Sequence, residues 1–333
     1  MPELSATAPV EIYRDLAIYE RERQNIFART WQFVGLEADL VRVGDYLAET
    51  LAGYPIVVVR DEQKQLRAYH NLCRHRAGPL VGDTKGRCDG EFVCQFHEWR
   101  YGFDGALKDA AGFATTEGFD ARAFGLIPIR VETWRRFVFV NMDMAAAPLA
   151  DLLRPLDEKL GARRNRSAIV RDRHPVACNW KVYVENYLDG DHLEEDDRES
   201  ASHGSTHVHG VRIHGELALC DTHHSNAAES LWAWIWPNLG ITVYRGVLLI
   251  EQMRPVGPDR TQIDHIFLHT AEDPGVDAAI HASEHVTEEH AWICERVQQN
   301  LDAGIYHQGI LSSASESAVA WFQSRVGLAL AIK

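Results

Sequence analysis

The sequence predicts an α+β chain: a small antiparallel β domain, then a larger domain that combines an antiparallel sheet with long helices. Three observations point there. A chain of 333 residues suffices for about two domains, each with its own core. From Trp31 to Asn141, short β-branched and aromatic runs alternate with turn residues. Beyond that block, longer helix-period stretches alternate with strand-like ones.

The elements follow in order. RDLAIYERERQNIFART (14–30) reads as a helix, with Leu16, Tyr19 and Ile26 at near-helical spacing. YPIVVVR (54–60), LRAYHNL (66–72), GEFVCQF (90–96) and RRFVFVNM (135–142) read as strands, and DEQK (61–64) as a hairpin turn between the first two. Residues 144–166, rich in Ala, Pro and Arg, read as a connection. NWKVYVENYLDGDHLEED (179–196) reads as a helix, and the Ser/Gly/His-rich 198–214 as a loop. Residues 230–256 read as two strands around Pro237-Asn238, and 261–269 as a third. Helices are expected over 283–302 and 315–330. The chain therefore divides into an N-terminal helix (1–30), the β domain (31–143) and the remainder (144–333).

Composition narrows the function. Apolar residues make up 46% and charged ones 25%, as in globular proteins. A net charge of −14 disfavours nucleic acid and anionic membrane as partners. No apolar run of membrane-spanning length occurs, and the start lacks a basic-then-apolar signal, so a cytoplasmic location is expected. The six cysteines (Cys73, Cys88, Cys94, Cys178, Cys220 and Cys294) then read as thiols or ligands rather than a disulfide framework.

Chemistry concentrates in CRHRAGPLVGDTKGRCDGEFVCQFH (73–97). Cys73-x-His75 and Cys94-x-x-His97 each offer one thiolate and one imidazole, and each follows a predicted strand. A structural zinc would take such donors, but zinc fingers usually group two cysteines and then two histidines. Mixed pairs suit a [2Fe–2S] cluster with two thiolates on one iron and two imidazoles on the other. Gly78-Pro79, Gly102 and Gly105 allow tight turns nearby.

These boxes, Cys73-Arg-His75-Arg and Cys94-Gln-Phe-His97-x-Trp99-x-Tyr101, resemble the Rieske domain of ring-hydroxylating, Rieske-type non-haem iron oxygenases. Gly78 and Phe96 stand where the respiratory type carries extra cysteines. Glu98 stands where the family usually has glycine. The resemblance spans nearly the whole chain. It implies a helix-grip-like catalytic domain after the Rieske domain, with the N-terminal helix packed on it.

The resemblance also implies a second centre, one Fe(II) held by two histidines and a carboxylate. Asn179-Trp180-Lys181, Glu185-Asn186, Asp189 and His192 match the family's signature. By that match His192 is an iron ligand, Asp189 the acidic bridge towards a neighbouring subunit's cluster, and Asn186 an accompanying catalytic residue. Asp189 and His192, three apart, would share a face if the helix continued. The family's second histidine is here Asp197, inside EEDD (194–197), and the carboxylate that precedes Cys294-Glu295-x-Val297-Gln298 is here His290. The two departures together keep a two-histidine, one-carboxylate set: His192, Asp197, His290. Val286, His290, Ile293, Val297 and Leu301 recur at helical spacing, which turns His290 inward. A site rebuilt from Glu289, His203, His207 or His209, or a vacant site, are the alternatives.

The family's activity would be that of a terminal oxygenase. Electrons come from a reductase or ferredoxin, pass through the cluster to the mononuclear iron, and allow O2 to hydroxylate or dealkylate a small substrate. Ring-like homotrimers are the implied assembly. Tyr306, Gly309, Leu311 and Ser312 resemble the ending of the choline, betaine and carnitine oxygenase branch, which implies a quaternary or methylated amine; an aromatic acid stays equally compatible. Trp232, Trp234 and Trp236 share one strand face and read as sheet core or as a cation-binding wall, with Trp234 and Tyr244 the candidate substrate contacts. The competing class is a Rieske electron carrier or inactive relative with an empty mononuclear site.

Overall fold

The computed structural model describes residues 4–113, 115–161, 168–189, 211–222, 230–244, 247–269, 276–312 and 315–332. It divides into two compact units, Phe27–Ala150 and a second made of Met1–Ile26 with Asp151–Lys333. Among the described residues no helix is long and apolar enough to cross a membrane.

The chain opens with β1 (Leu4–Ala6), α1 (Glu11–Arg14) and α2 (Leu16–Glu22), then a π-turn over Arg23–Phe27. The helix expected over 14–30 is present as Leu16–Phe27, α in its first part and π in its last. Asp15 sets its start: it is extended, and its carboxylate caps α2 by accepting the Ala17 N–H.

The contiguous unit holds β2 (Gln32–Leu36), β3 (Asp45–Leu51), β4 (Tyr54–Arg60), β5 (Leu66–His70), β6 (Lys85–Arg87), β7 (Phe92–Val93), β8 (Arg100–Tyr101), β9 (Leu107–Asp109), β10 (Pro128–Trp134) and β11 (Phe137–Asn141). Seven of these form one antiparallel sheet in the order β2-β11-β10-β5-β4-β3-β6, and β7-β8-β9 form a small second one. The run Ile56-Val57-Val58-Val59 shows why β4 is central. All four side chains are fully buried, and they alternate between two cores. Ile56 and Val58 pack with Val138 and Val140. Val57 and Val59 pack with Cys73, Cys94, Trp99 and Tyr101. At about 1.5–3 kcal/mol for each such burial, one strand joins the scaffold core to the metal-binding loops.

The connection expected at 144–166 contains a helix, α3 (Leu149–Leu160), whose Leu149, Leu153, Leu156 and Leu160 are buried. Their 4-3-4 spacing is the amphipathic signal. Then come β12 (Ala168–Val176), α4 (Trp180–Leu188), β13 (Arg212–His214), β14 (Leu217–Thr222), β15 (Ser230–Ile235), β16 (Leu239–Tyr244), β17 (Val247–Gly257), β18 (Arg260–His269), α5 (Val276–Asp302), β19 (Ile310–Ser312) and α6 (Ser317–Leu330). A seven-stranded antiparallel sheet runs β12-β18-β17-β16-β15-β14-β13. Residues 230–256 thus make three strands rather than two, because Tyr244 and Val247 close a further hairpin. Part of the expected loop, Arg212–His214, is strand, paired to Leu217–Leu219.

Two corrections concern the helices that carry the expected iron ligands. Helix α4 ends at Leu188, and Asp189 is an extended C-cap whose N–H bonds the Glu185 carbonyl. The helical face that Asp189 was to share with His192 is therefore not formed at Asp189, and Gly190 next in sequence favours that stop. On α5, Ile293 and Val297 are more than a third exposed. The buried stripe is instead Thr287, His290, Cys294, Gln298 and Leu301. His290 does face inward, but the stripe beside it is polar.

The resemblance of the chain's ending has a structural basis. Strand β19 pairs with β1, Leu4 opposite Ser312 and Ala6 opposite Ile310. Thr7 and Gly309 exchange hydrogen bonds at 2.8 Å and 3.1 Å, and the Tyr306 hydroxyl lies 3.3 Å from Thr7 Oγ1. A Cβ on Gly309 would sit 2.5 Å from the Tyr306 oxygen. Tyr306, Gly309, Leu311 and Ser312 clip the two chain ends together.

Candidate functional site

Both boxes of the first site fold the same way. Ala77 N–H donates to the Cys73 carbonyl (3.0 Å) and Glu98 N–H to the Cys94 carbonyl (2.9 Å). Cys73 N–H donates to Gly78 O (2.7 Å) and Cys94 N–H to Trp99 O (2.9 Å). The equivalent fourth residues, Ala77 and Glu98, are both left-handed, at φ +56° and +58°. The family's usual glycine at position 98 is thereby explained: that backbone disfavours a side chain. Gly78 answers a different need. A Cβ there would lie 3.0 Å from Cys94 Sγ and 3.1 Å from Phe96 Cβ, so a side chain would require the facing loop to shift. Gly105, at φ +85°, closes the following turn onto Gly102.

The four side chains converge. Cys73 and Cys94 are buried, and the His75 and His97 rings lie 4.6 Å apart. Trp99 stacks on His75 at 5.0 Å and Phe113 meets it edge-on. The Tyr101 hydroxyl accepts from Arg74 N–H (3.0 Å) and lies 3.2 Å from Cys73 Sγ, to which it is left to donate. Asn71 fixes the first loop by accepting from Leu80 and Val81 N–H and donating to Val81 O. Burial first, then neighbouring His97 and Arg76, hold His75 below the usual imidazole pKa, so it is neutral and ready to ligate. Burial pushes the Cys73 thiol up, and Cys94 adds to it; a bound cation would reverse that sign. His75 Nδ1 is buried with no hydrogen-bond partner among the described residues. Two close thiols and an unpartnered buried imidazole nitrogen fit an iron–sulfur cluster. Tyr101, whose hydroxyl reaches a candidate ligand sulfur, is the residue that reading by ligand type passes over.

In the second unit, two sequence motifs prove to be bonded to each other. Asn179 caps α4 by accepting Lys181 N–H (3.0 Å), and its own N–H donates to Gln298 Oε1 on α5 (2.9 Å). Glu295 accepts Ala177 N–H, and Cys294 lies against the Val182 carbonyl. Lys181 is fully buried, with Nζ 2.5 Å from Glu22, whose other oxygen takes the Trp180 indole N–H. The Asn-Trp-Lys and Cys-Glu-x-Val-Gln stretches are thus the joint that sets α4 against α5. One turn before Cys294, His290 is buried with its ring 6.1 Å from Tyr183.

Helix α4 turns Tyr183 and Tyr187 to the sheet. Tyr183 donates to Glu251 Oε1 (3.4 Å), and the Tyr187 oxygen occupies the space where Gly240 lacks a Cβ. Tyr187 stacks on Trp232 at 6.0 Å and meets Trp234 at a tilt of 41° at 5.3 Å. Trp234 is fully buried behind it, so Tyr187 presents the aromatic surface. Trp236 turns elsewhere, against Trp180 and Phe322. Tyr244 is the last residue of β16, and its side chain lies outside the described part. Asn186 Nδ2 is buried without a hydrogen-bond partner among the described residues. Glu185 is held by Tyr13 and Gln323, and burial pushes its pKa up to about 7. His192, Asp197, His203, His207 and His209 lie outside the described residues, so the site expected from His192, Asp197 and His290 is represented by His290 alone.

Residues 30–120 match the Rieske [2Fe-2S] domain model, and residues 195–331 that of the ring hydroxylating alpha subunit, catalytic domain. The chain belongs to the Rieske-type non-haem iron oxygenases. It is similar to the chloroplastic choline monooxygenase of Beta vulgaris, 28% identical over 92% of this chain and 73% of that one. It is equally similar to the carnitine monooxygenase oxygenase subunit of Escherichia coli K12, 28% identical over 82% and 77%. The solved quaternary ammonium Rieske monooxygenase CntA with L-carnitine superposes at TM-score 0.85, with 26% identity over 98% of this chain and 96% of that one. Naphthalene 1,2-dioxygenase from Rhodococcus shares the fold alone, at 18% identity and TM-score 0.80 over 98% and 94%. The α+β reading of a small Rieske domain beside a helix-and-sheet catalytic domain is borne out. As a Rieske oxygenase the chain uses a [2Fe–2S] cluster and a mononuclear iron. Oxygenase components of this kind need a reductase and take small-molecule substrates.

Proposed function

We propose that this chain is the terminal oxygenase component of a monooxygenase acting on a small quaternary ammonium compound. One observation supports the reading: the fold is similar to that of CntA with L-carnitine at TM-score 0.85 over 98% of this chain. Cys73, His75, Cys94 and His97 would hold the cluster; His192, Asp197 and His290 would hold the iron, with Asn186 and Asp189 beside it. Bound there, the metals supply one-electron transfer and oxygen activation. The chain's own residues do the rest. Tyr101 donates to Cys73 Sγ, which would favour the reduced form of a cluster held there. Trp99 and Phe113 keep water off His75. Tyr187, backed by Trp232 and Trp234, offers an electron-rich face to a methylated cation.

A homotrimer is the assembly this reading takes. Trp292, Ile293 and Val297, exposed on α5, are apolar surface that another copy could cover. A reductase or ferredoxin supplies the electrons, in the cytoplasm.

The test is iron and acid-labile sulfide per chain after anaerobic Fe(II) reconstitution, followed by turnover with choline, carnitine and an aromatic acid. Three irons per two sulfides with trimethylammonium-dependent O2 uptake is the expected result. Two irons per two sulfides, with no uptake, would instead assign an electron carrier.

A further inference from the structure

We propose that the inner face of the catalytic sheet carries a second divalent-metal site, formed by Asp172, His174 and His265. It rests on no assumption about the iron held near α4 and α5.

Strand register brings the three together. Asp172 on β12 lies directly opposite His265 on β18, and His265 directly opposite Glu251 on β17. His174 is two residues along β12 and so shares the face. One ligand-capable atom from each of Asp172, His174 and His265 lies within 4.8 Å of the others. His174 Nε2 is 2.6 Å from Asp172 Oδ2, and the two imidazole rings are 5.4 Å apart. A bound ion at about 2.0–2.2 Å from each donor requires closer spacing than 4.8 Å, which rotation of the part-exposed Asp172 and His174 side chains can supply.

A surface Asp–His pair alone would be ordinary. His265 is what that leaves unexplained. It is 1% exposed, and neither ring nitrogen has a hydrogen bond among the described residues. The nearest carboxylate oxygen, Glu251 Oε1, is 3.6 Å away. A buried polar group left unmatched is destabilising, and a cation beside two imidazoles and a carboxylate is the partner the geometry offers.

The surroundings suit an ion. Arg173 N–H donates to Asp172 Oδ1, which leaves Oδ2 towards His174. Arg173 and Arg254 both pair with Asp264, on the opposite face of the sheet. Asp172 and His174 side chains are 35% and 26% exposed while that of His265 is 0%, so the edge strand gives an entry path to a closed end. Two nitrogens and one or two carboxylates select a first-row ion such as Zn(II) or Fe(II) over Mg(II) or Ca(II). Tyr183 touches Glu251 with its hydroxyl and His290 with its ring, so the sheet site and α5 share one intervening side chain.

The experiment is calorimetric titration of the cluster-loaded full chain with Zn(II), read as zinc equivalents per chain. The wild type, His192→Ala, His265→Gln, Asp172→Asn and the His192→Ala/His265→Gln double variant are compared. An unchanged cluster spectrum and circular dichroism show that each is folded. The expected result is one equivalent lost in His265→Gln, at least a tenfold weaker site in Asp172→Asn, and one fewer equivalent in the double variant than in His192→Ala. If His265→Gln and the double variant keep the zinc equivalents of their parents, the proposal is overturned. An unaltered His192→Ala titration would count against the α4–α5 iron site instead, and leave the comparison at His265 intact.

Discussion

In the cluster-binding unit every candidate ligand lies between Cys73 and His97, on two loops whose backbones repeat each other hydrogen bond for hydrogen bond. In the catalytic unit the proposed ligands run in sequence from His192 to His290, and the described one, His290, stands on a helix joined to α4 through Asn179 with Gln298 and Ala177 with Glu295. The first site is thus set by short-range turn geometry, the place of His290 by long-range packing. A local site is sensitive to single atoms near the metal. A distributed site is sensitive to groups that never approach it.

Five changes break or sharpen that contrast. Cys94→Ser is the largest: the cluster is expected to be lost outright, read as loss of acid-labile sulfide and of red-brown colour. In the distributed unit, Lys181→Met leaves Glu22 as an uncompensated buried charge. A loss of about 3–5 kcal/mol is expected in urea unfolding, largely recovered when Glu22→Leu is added. Third is Glu185. Its carboxyl is raised by burial to about 7 from 4.5, so the folded chain holds a proton that the unfolded chain has released. Its stabilising contribution is full below about pH 4.5 and is lost as pH rises through about 7, by up to about 3 kcal/mol. Glu185→Gln should remove that slope from stability-versus-pH curves; a parallel curve would show that another group carries it.

The two smaller effects return to the loops. Tyr101→Phe removes the donor to Cys73 Sγ. One hydrogen bond of about 1 kcal/mol corresponds to about 40 mV for one electron, so voltammetry should find the potential lower by that order. Glu98→Gly relieves a left-handed backbone at φ +58° and should stabilise by about 0.5–1 kcal/mol, seen as a higher Tm with the cluster spectrum unchanged.

The same contrast decides what could be read from sequence. Cys73, His75, Cys94 and His97 were legible because their partners are near in the chain and their residue types are scarce. The alternating burial of β4 was legible as an apolar run. The hairpin at Tyr244–Val247 was not, because the flanking runs ITVY and VLLI are largely apolar without alternation and read as one strand. The separate short helix α1 before Asp15 was not legible either, because one capping carboxylate divides it from α2 inside an otherwise helical pattern. On α5 the stripe was misplaced because Thr287 and Gln298 are buried for their hydrogen bonds, which hydrophobic spacing does not weigh. The grouping of Asp172, His174 and His265 was hidden for a further reason. RDRHPV and QIDHIF put these residues on inward strand positions, but only the pairing of β12 with β18 makes them neighbours.

The clip between β1 and β19 has a consequence for how the molecule comes into being. The cluster unit is one unbroken stretch, Phe27–Ala150, and its contacts are complete once that stretch has left the ribosome. The other unit begins earlier and finishes last, since Leu4–Ala6 must wait for Ile310–Ser312, and Glu22 for Lys181. Vectorial synthesis therefore yields a folded cluster-binding unit inside an open frame. A nascent chain stalled between the two should already take up iron and sulfide while its catalytic half is still a substrate for chaperones.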